Sequence, residues 1–218
     1  MIGYRLATFA LFFTIPLFGC SGITGTGTYV NKHYKDKPKS NVRLAIAPLT
    51  RLGPPLPCSS EARKCPPLIP LIDNVFAKVF GRFSNKVTII PMTKARRYFE
   101  ANQDVLNKLV DTKYSEEDLS RDPSLTAIFD NKQLASLREE LDTADLLLVP
   151  ARFDLVPKFG RTFGYSEFRL YDLGSGSMIF TSSRNMNINI GDEEGRGLMA
   201  GALIDRSTSD FEELYLNK

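Results

Sequence analysis

The stretch Ala144-Asp145-Leu146-Leu147-Leu148-Val149-Pro150-Ala151-Arg152-Phe153 decides the reading of the fold. Residues 146–149 are apolar without interruption, and a strand with no polar side belongs in the middle of a sheet that is covered on both faces. Two further strands follow at residues 165–173 and 177–190, joined by Gly174-Ser175-Gly176. In the first, Phe168, Leu170 and Tyr171 alternate imperfectly with Glu167, Arg169 and Asp172. In the second, Ile188 and Ile190 alternate with Asn187 and Asn189. Together they predict a long antiparallel hairpin with a glycine-bearing turn.

Working outward toward the N-terminus, residues 42–49 (VRLAIAPL) read as a buried first strand ended by Pro48. Beyond a proline-rich loop, Ile69, Ile72, Val75, Phe76, Val79, Phe80 and Phe83 recur at spacings of three and four, which predicts a helix with one apolar face. Residues 86–91 (KVTIIP) read as a second strand. Thr93 is the expected N-cap of a helix carrying Ala95, Tyr98, Phe99, Val105, Leu106, Leu109 and Val110. A polar surface excursion over 111–122 follows, then a helix over 131–141. Past the hairpin, the acidic loop 191–195 leads into a last helix around Leu198, Met199, Ala202 and Leu203, extended or restarted near 209–216. The order β-α-β-α-α-β-β-β-α defines an α+β fold, a single mixed sheet with helices packed against it. With no internal repeat and no second linker, residues 42–218 form one domain.

The N-terminus carries an address. One positive charge, Arg5, precedes residues 6–18, which are apolar apart from Thr8, Thr14 and Pro16. Such a run is a signal peptide rather than a span, since crossing the hydrocarbon takes about 20 apolar residues. The segment ends Leu17-Phe18-Gly19-Cys20 and resembles the lipobox of bacterial lipoproteins, although Phe18 is bulkier than is usual there. That resemblance implies a signal peptide over 1–19, a diacylglycerol and an N-acyl chain (palmitate) on Cys20, and permanent attachment to a membrane. Ser21 rather than Asp after the cysteine implies the outer membrane, with the domain facing the periplasm. Residues 20–41, with Gly22, Gly25, Gly27, Pro38 and four lysines, read as a flexible tether with an r.m.s. reach of roughly 25 Å.

Removing the signal leaves roughly 200 residues, enough for a real core. The net charge of the whole chain is +3 at pH 7, too close to balance to leave a nucleic-acid footprint. With Cys20 assigned to lipid, Cys58 and Cys65 remain, in a proline-rich loop that includes Pro55 and Pro57. An even remainder in an oxidising compartment makes a disulfide the default. A redox pair would usually show C-x-x-C spacing, and a metal site would need further ligands.

Chemistry-bearing constellations are sparse. The one histidine, His33, lies in the tether, which leaves the folded part without the base that Ser-His or Cys-His catalysis and histidine-dependent zinc hydrolysis require. Glu116, Glu117 and Asp118, or Asp192, Glu193 and Glu194, could supply paired carboxylates for glycoside cleavage. Both runs sit in polar loops where solvated charge is ordinary. Lys94, Arg96 and Arg97 form a basic cluster whose neighbouring Tyr98 and Phe99 are expected to turn inward. No catalytic residue, metal ligand or cofactor beyond the lipid is assigned.

Three features taken together carry a second resemblance: the lipobox, the VRLAIAPL strand, and Ala144-Asp145 opening a central strand before a hairpin whose turn follows Asp172-Leu173-Gly174. The pattern is similar to the domain shared by the curli secretion lipoprotein CsgG, the peptidoglycan-synthase activator LpoB and the N-terminal domain of TolB, over roughly residues 42–205. The chain lacks the spare length for the extra barrel hairpins of a curli-type pore, and its tether is short for spanning the cell-wall space. The resemblance therefore implies a non-enzymatic assembly or accessory factor for an envelope machine of secretion, flagellar or polysaccharide-export type, working through protein contacts. The alternatives are a module binding cell-wall glycan or lipid, or a regulator of peptidoglycan synthesis. The expected partners are the membrane, through the lipid, and envelope proteins; homo-oligomers are known among proteins of this fold. The expected recognition surfaces are an exposed sheet edge used for β-augmentation, the loop holding Pro55, Pro57, Cys58 and Cys65, and the hairpin tip at Gly174, Ser175 and Gly176.

Overall fold

A computed structural model describes residues 27–30, 41–49, 68–83, 85–112, 129–159, 161–188 and 193–213. Six strands form one mixed sheet: β1 (Gly27–Val30), β2 (Val42–Ile46), β3 (Val87–Ile89), β4 (Leu146–Lys158), β5 (Arg161–Asp172) and β6 (Ser177–Ile188), in the spatial order β1-β6-β5-β4-β2-β3. Among the described residues five helices pack on it: α1 (Leu68–Phe80), α2 (Met92–Ala101), α3 (Gln103–Asp111), α4 (Asn131–Glu140) and α5 (Glu193–Phe211). The sheet stays open and does not close into a barrel, so the α+β expectation holds.

β2 runs parallel to both β3 and β4, while β4, β5, β6 and β1 are antiparallel in turn. Parallel neighbours need crossover connections, and the two used here take opposite sides of the sheet. α1 crosses one face between β2 and β3, and α2, α3 and α4 cover the other between β3 and β4. Alternation along β2 then serves two cores. Val42, Leu44 and Ile46 pack with Phe76, Val79 and Phe80 of α1 and with Met199, Leu203 and Phe211 of α5. Ala45 and Ala47 join Tyr98, Phe99, Leu106, Leu109 and Leu137 on the opposite side. Aromatic rings tie the first core together, with Phe76 edge-on to Phe168 at 5.5 Å and Phe211 within 5.9 Å of Phe80 and 6.1 Å of Phe180. The inward turn expected of Tyr98 and Phe99 is observed.

The structure alters several expectations. Residues 27–30, inside the expected tether, are an edge strand on β6, too short and too glycine-flanked to declare itself by periodicity. Thr93 does not cap its helix; Pro91 occupies the N-cap position without a side-chain hydrogen bond. The single helix expected over the following residues is two, because Asn102 leaves helical geometry at φ −130° and ψ 57°. Its side-chain amide and that of Gln103 donate to the carbonyls of Tyr98 and Phe99 at 2.8 Å, satisfying acceptors that a continued helix would have bonded. α4 starts as a capping box, with Asp130 and Gln133 bonding reciprocally. The last helix runs unbroken to Phe211, and β4 and β5 are longer than expected, reaching Lys158 and starting at Arg161.

Candidate functional site: the open face of the β4–β5–β6 arm

Two motifs noticed in the sequence prove to be structural. Asp145, second residue of the Ala-Asp pair, stitches β4 to β2: its carboxylate accepts the backbone N–H of Arg43 at 2.9 Å while its own N–H donates to the Arg43 carbonyl at 2.9 Å. Ala144 beside it is fully buried, in the same core as Leu141 and Leu147. Asp172 shapes the β5–β6 turn by accepting from the backbone N–H of Ser175 at 3.0 Å and from its hydroxyl at 2.7 Å. Gly176 takes φ +72°, a conformation that L side chains rarely adopt, and lies buried where a Cβ would meet Leu134 and Phe129. Of the three residues expected to offer a tip, Gly174 and Ser175 are therefore exposed and Gly176 is packed away. Cys20, Pro55, Pro57, Cys58, Cys65, His33, Glu116, Glu117, Asp118 and Asp192 lie outside the described residues, as do the side chains of Glu193 and Glu194.

The prominent surface lies at the other end of the same strands. A β-bulge between Pro150 and Arg152 leaves Ala151 without a cross-strand partner, and one extra residue exchanges the two faces of a strand. Before it, Leu147 and Val149 point into the α2–α3–α4 core; after it, Phe153 and Leu155 point to the α1–α5 side and Arg152, Asp154 and Val156 take the first face. β4, β5 and β6 then run on together past α3 as a three-stranded arm. α5 covers one face of it. Met199 and Leu203 lie so close to Gly164 that a Cβ there would stand 2.6 to 2.8 Å from their side chains, and Asp210 of α5 binds Ser182 at 2.6 Å and Arg184 of β6 at 2.8 Å.

The arm's other face is open. Arg152, Asp154, Val156, Phe163, Tyr165, Asn185 and Asn187 line a shallow trough of about 330 Å³ across it. The strand register sets Val156 opposite Phe163, Asp154 opposite Tyr165, and Tyr165 opposite Asn185. The Arg152 guanidinium lies 4.3 Å from the centre of the Tyr165 ring and pairs with Asp154. Burial pushes the Tyr165 hydroxyl above its ordinary range; Glu167 adds to this, while a hydrogen bond with Ser183 and the charges of Arg152 and Arg169 oppose it. At the inner end of the trough Arg169 is buried beneath α3. It pairs with Glu167 at 2.6 Å and donates to the carbonyls of Leu109 at 2.9 Å and Thr112 at 2.6 Å, placing a cation where the helix dipole is negative. Desolvation lowers the affinity of this guanidinium for its proton, but Tyr171 and Glu167 outweigh it and the pKa is raised.

Sequence reasoning missed this face. The signal was present in Arg152, Asp154 and Val156 at alternate positions and again in Phe163 and Tyr165, the period-2 pattern of a strand with one wet face. β6 adds an edge: β1 pairs only with its residues 180–183, so residues 184–188 pair with β5 alone among the described strands.

No protein-family model matches the chain, and no curated protein matches it in sequence. Solved structures similar to it include the PelC dodecamer from Paraburkholderia phytofirmans, at 11% identity and a TM-score of 0.41 over 85% of this chain and 94% of that one. The lipoprotein GNA1162 from Neisseria meningitidis is similar at 11% identity and a TM-score of 0.37, over 77% of this chain and 99% of that one. The LpoB C-terminal domain from Salmonella enterica, one of the proteins whose domain the sequence motifs resemble, is similar at 11% identity and a TM-score of 0.34, over 70% of this chain and 87% of that one. At these scores none of the likenesses bears on what the chain does.

Proposed function

We propose that this chain is a lipid-anchored accessory protein of a bacterial envelope that acts by protein contact and not by catalysis, with the open face of the arm as its partner-facing surface. The observation that carries the reading is the one-sided arm: three strands of 12 or 13 residues project beyond the α2–α3–α4 layer with an apolar pair, Val156 and Phe163, left in water beside Arg152 and Tyr165. Exposed apolar groups rimmed by polar ones mark contact surfaces, and Arg, Tyr and Phe are residue types that protein interfaces favour. The face's carboxylates are already in ion pairs, Asp154 with Arg152 and Glu167 with Arg169. The anchor on Cys20, the disulfide between Cys58 and Cys65 and the outer-membrane, periplasm-facing location belong to this reading on the sequence features given above.

A glycan module is the weaker reading, because Arg152 occupies the face of Tyr165 on which a sugar ring would stack. A photoreactive amino acid placed at Phe163 in the full-length chain, followed by crosslinking in cells, should give a discrete protein adduct that is missing when the probe stands at the exposed Arg97 of α2. Adducts to peptidoglycan alone, or to nothing, would sink the proposal.

A further inference from the structure

We infer that the tip of the arm, where Phe159 and Arg161 flank the β4–β5 turn, rests on the membrane that holds the lipid anchor, with Phe159 entering the interface of an anionic phospholipid surface. This rests on the reading of Cys20 as lipidated, and adds to it an orientation and a contact.

The argument begins with strand direction. β1 is antiparallel to β6, with Gly27 opposite Ser183 and Val30 opposite Phe180. Followed backward from Val30 to Gly27, the chain therefore heads along β6 from residue 180 toward 183, in the direction of Ile188 and the arm tip. Only seven residue steps separate Gly27 from Cys20, which span at most about 24 Å. From the level of Ser183, which pairs with Glu167, the arm continues through six residues of β5 to Arg161, about 20 Å at strand rise. The greatest reach of the leash is thus close to the remaining length of the arm, so the anchor cannot hold the membrane farther off than the tip can reach. A bilayer reached by Cys20 in the direction that β1 sets lies at the level of the tip.

The composition of that end fits an interface. Among the described residues the exposed large apolar side chains are Val156 at 39%, Phe159 at 89%, Phe163 at 41% and Leu198 at 55%; the first three belong to the outer part of the arm and Leu198 to the helix α5 that covers it. Leu198 directly precedes Met199, which packs on Gly164. Phe159 holds φ +52°, a conformation that is costly for a bulky L residue and that sets a phenyl ring at the extremity of the turn. Arg161 beside it is exposed. An aromatic ring beside a cation suits the headgroup region of an anionic leaflet.

The chain contains no tryptophan, so a single introduced one reports alone. Full-length protein with Phe159→Trp, purified with its lipid and reconstituted into vesicles of phosphatidylethanolamine and phosphatidylglycerol doped with brominated lipid, should show blue-shifted, quenched emission. The same protein carrying Ser175→Trp, at the opposite end of the strands, should be unaffected. If Phe159→Trp does not accumulate, Arg161→Trp reports the same end. Mass spectrometry of the N-terminal peptide separates the two readings. Lipid present on Cys20 with an unquenched tip, or equal quenching at both ends, overturns the orientation alone; Cys20 without lipid overturns the anchor and the orientation together.

Discussion

Leu147 and Phe163 belong to one antiparallel ribbon, yet the first is sealed beneath α2, α3 and α4 while the second stands in water. The inner half of β4–β5–β6 is a core strand set with helices on both faces, and in β4 its residues 146–149 are apolar without a break. The outer half has α5 on one side only, and its residues alternate. The bulge at Ala151 in β4 lies where the two regimes meet. Stability is concentrated in the inner half, which leaves the outer half at liberty to carry surface chemistry on a backbone it does not have to stabilise.

That contrast can be broken from the inside. Phe168 sits where the halves meet, against Phe76 at 5.5 Å and Phe153 at 6.2 Å; Phe168→Ala should cost about 3 to 5 kcal/mol in urea unfolding, and a loss confined to the arm would contradict its place in the shared core. Arg169→Met should cost roughly 2 to 3 kcal/mol, because it strands the Leu109 and Thr112 carbonyls and Glu167. Hydrogen exchange should then show α3 loosening before the arm does.

Gly164→Ala tests the cover on the arm. A methyl group there has to displace Met199 and Leu203, at about 1 to 2 kcal/mol of overpacking, and should raise exchange in α5 and β5 while leaving β2 and β3 protected. Smaller in effect is Tyr165→Phe. Because burial raises the folded pKa of this phenol above its ordinary value near 10, its contribution is complete below that value and is lost as pH rises through the folded one. The substitution should flatten the alkaline limb of stability against pH and, through the lost hydrogen bond with Ser183, cost about 0.5 to 1 kcal/mol at neutrality. Least costly of all, Val156→Ser should shift stability by about 0.5 kcal/mol or less while abolishing the adduct formed through Phe163.

How much of this was legible follows the same division. The inner strands announced themselves because residues 146–149 and 42–49 are nearly all apolar, and α1 did so through its spacing of threes and fours. The Ala144-Asp145 and Asp172-Leu173-Gly174 motifs were visible too, although their physical work, bonding Arg43 and the Ser175 turn, is structural. The arm was not legible. Pro157 and the charged Arg152 and Asp154 interrupt the apolar signal, and the bulge breaks the alternation in which a continuous strand would have been seen. β1 was hidden for a different reason, since four residues among glycines become a strand only when β6 offers them a partner.

The pairing of β1 with β6 has a mechanical side. Its hydrogen bonds lie across the strand axis, and the Gly27 end of β1 is the end nearer the arm tip. Any tug of the bilayer on an acylated Cys20 would load the Gly27–Val30 ladder in shear, all bonds at once, instead of peeling them one by one. Under the anchor proposed above, a four-residue strand placed in this way would take up force at the sheet's edge before it reached the two cores.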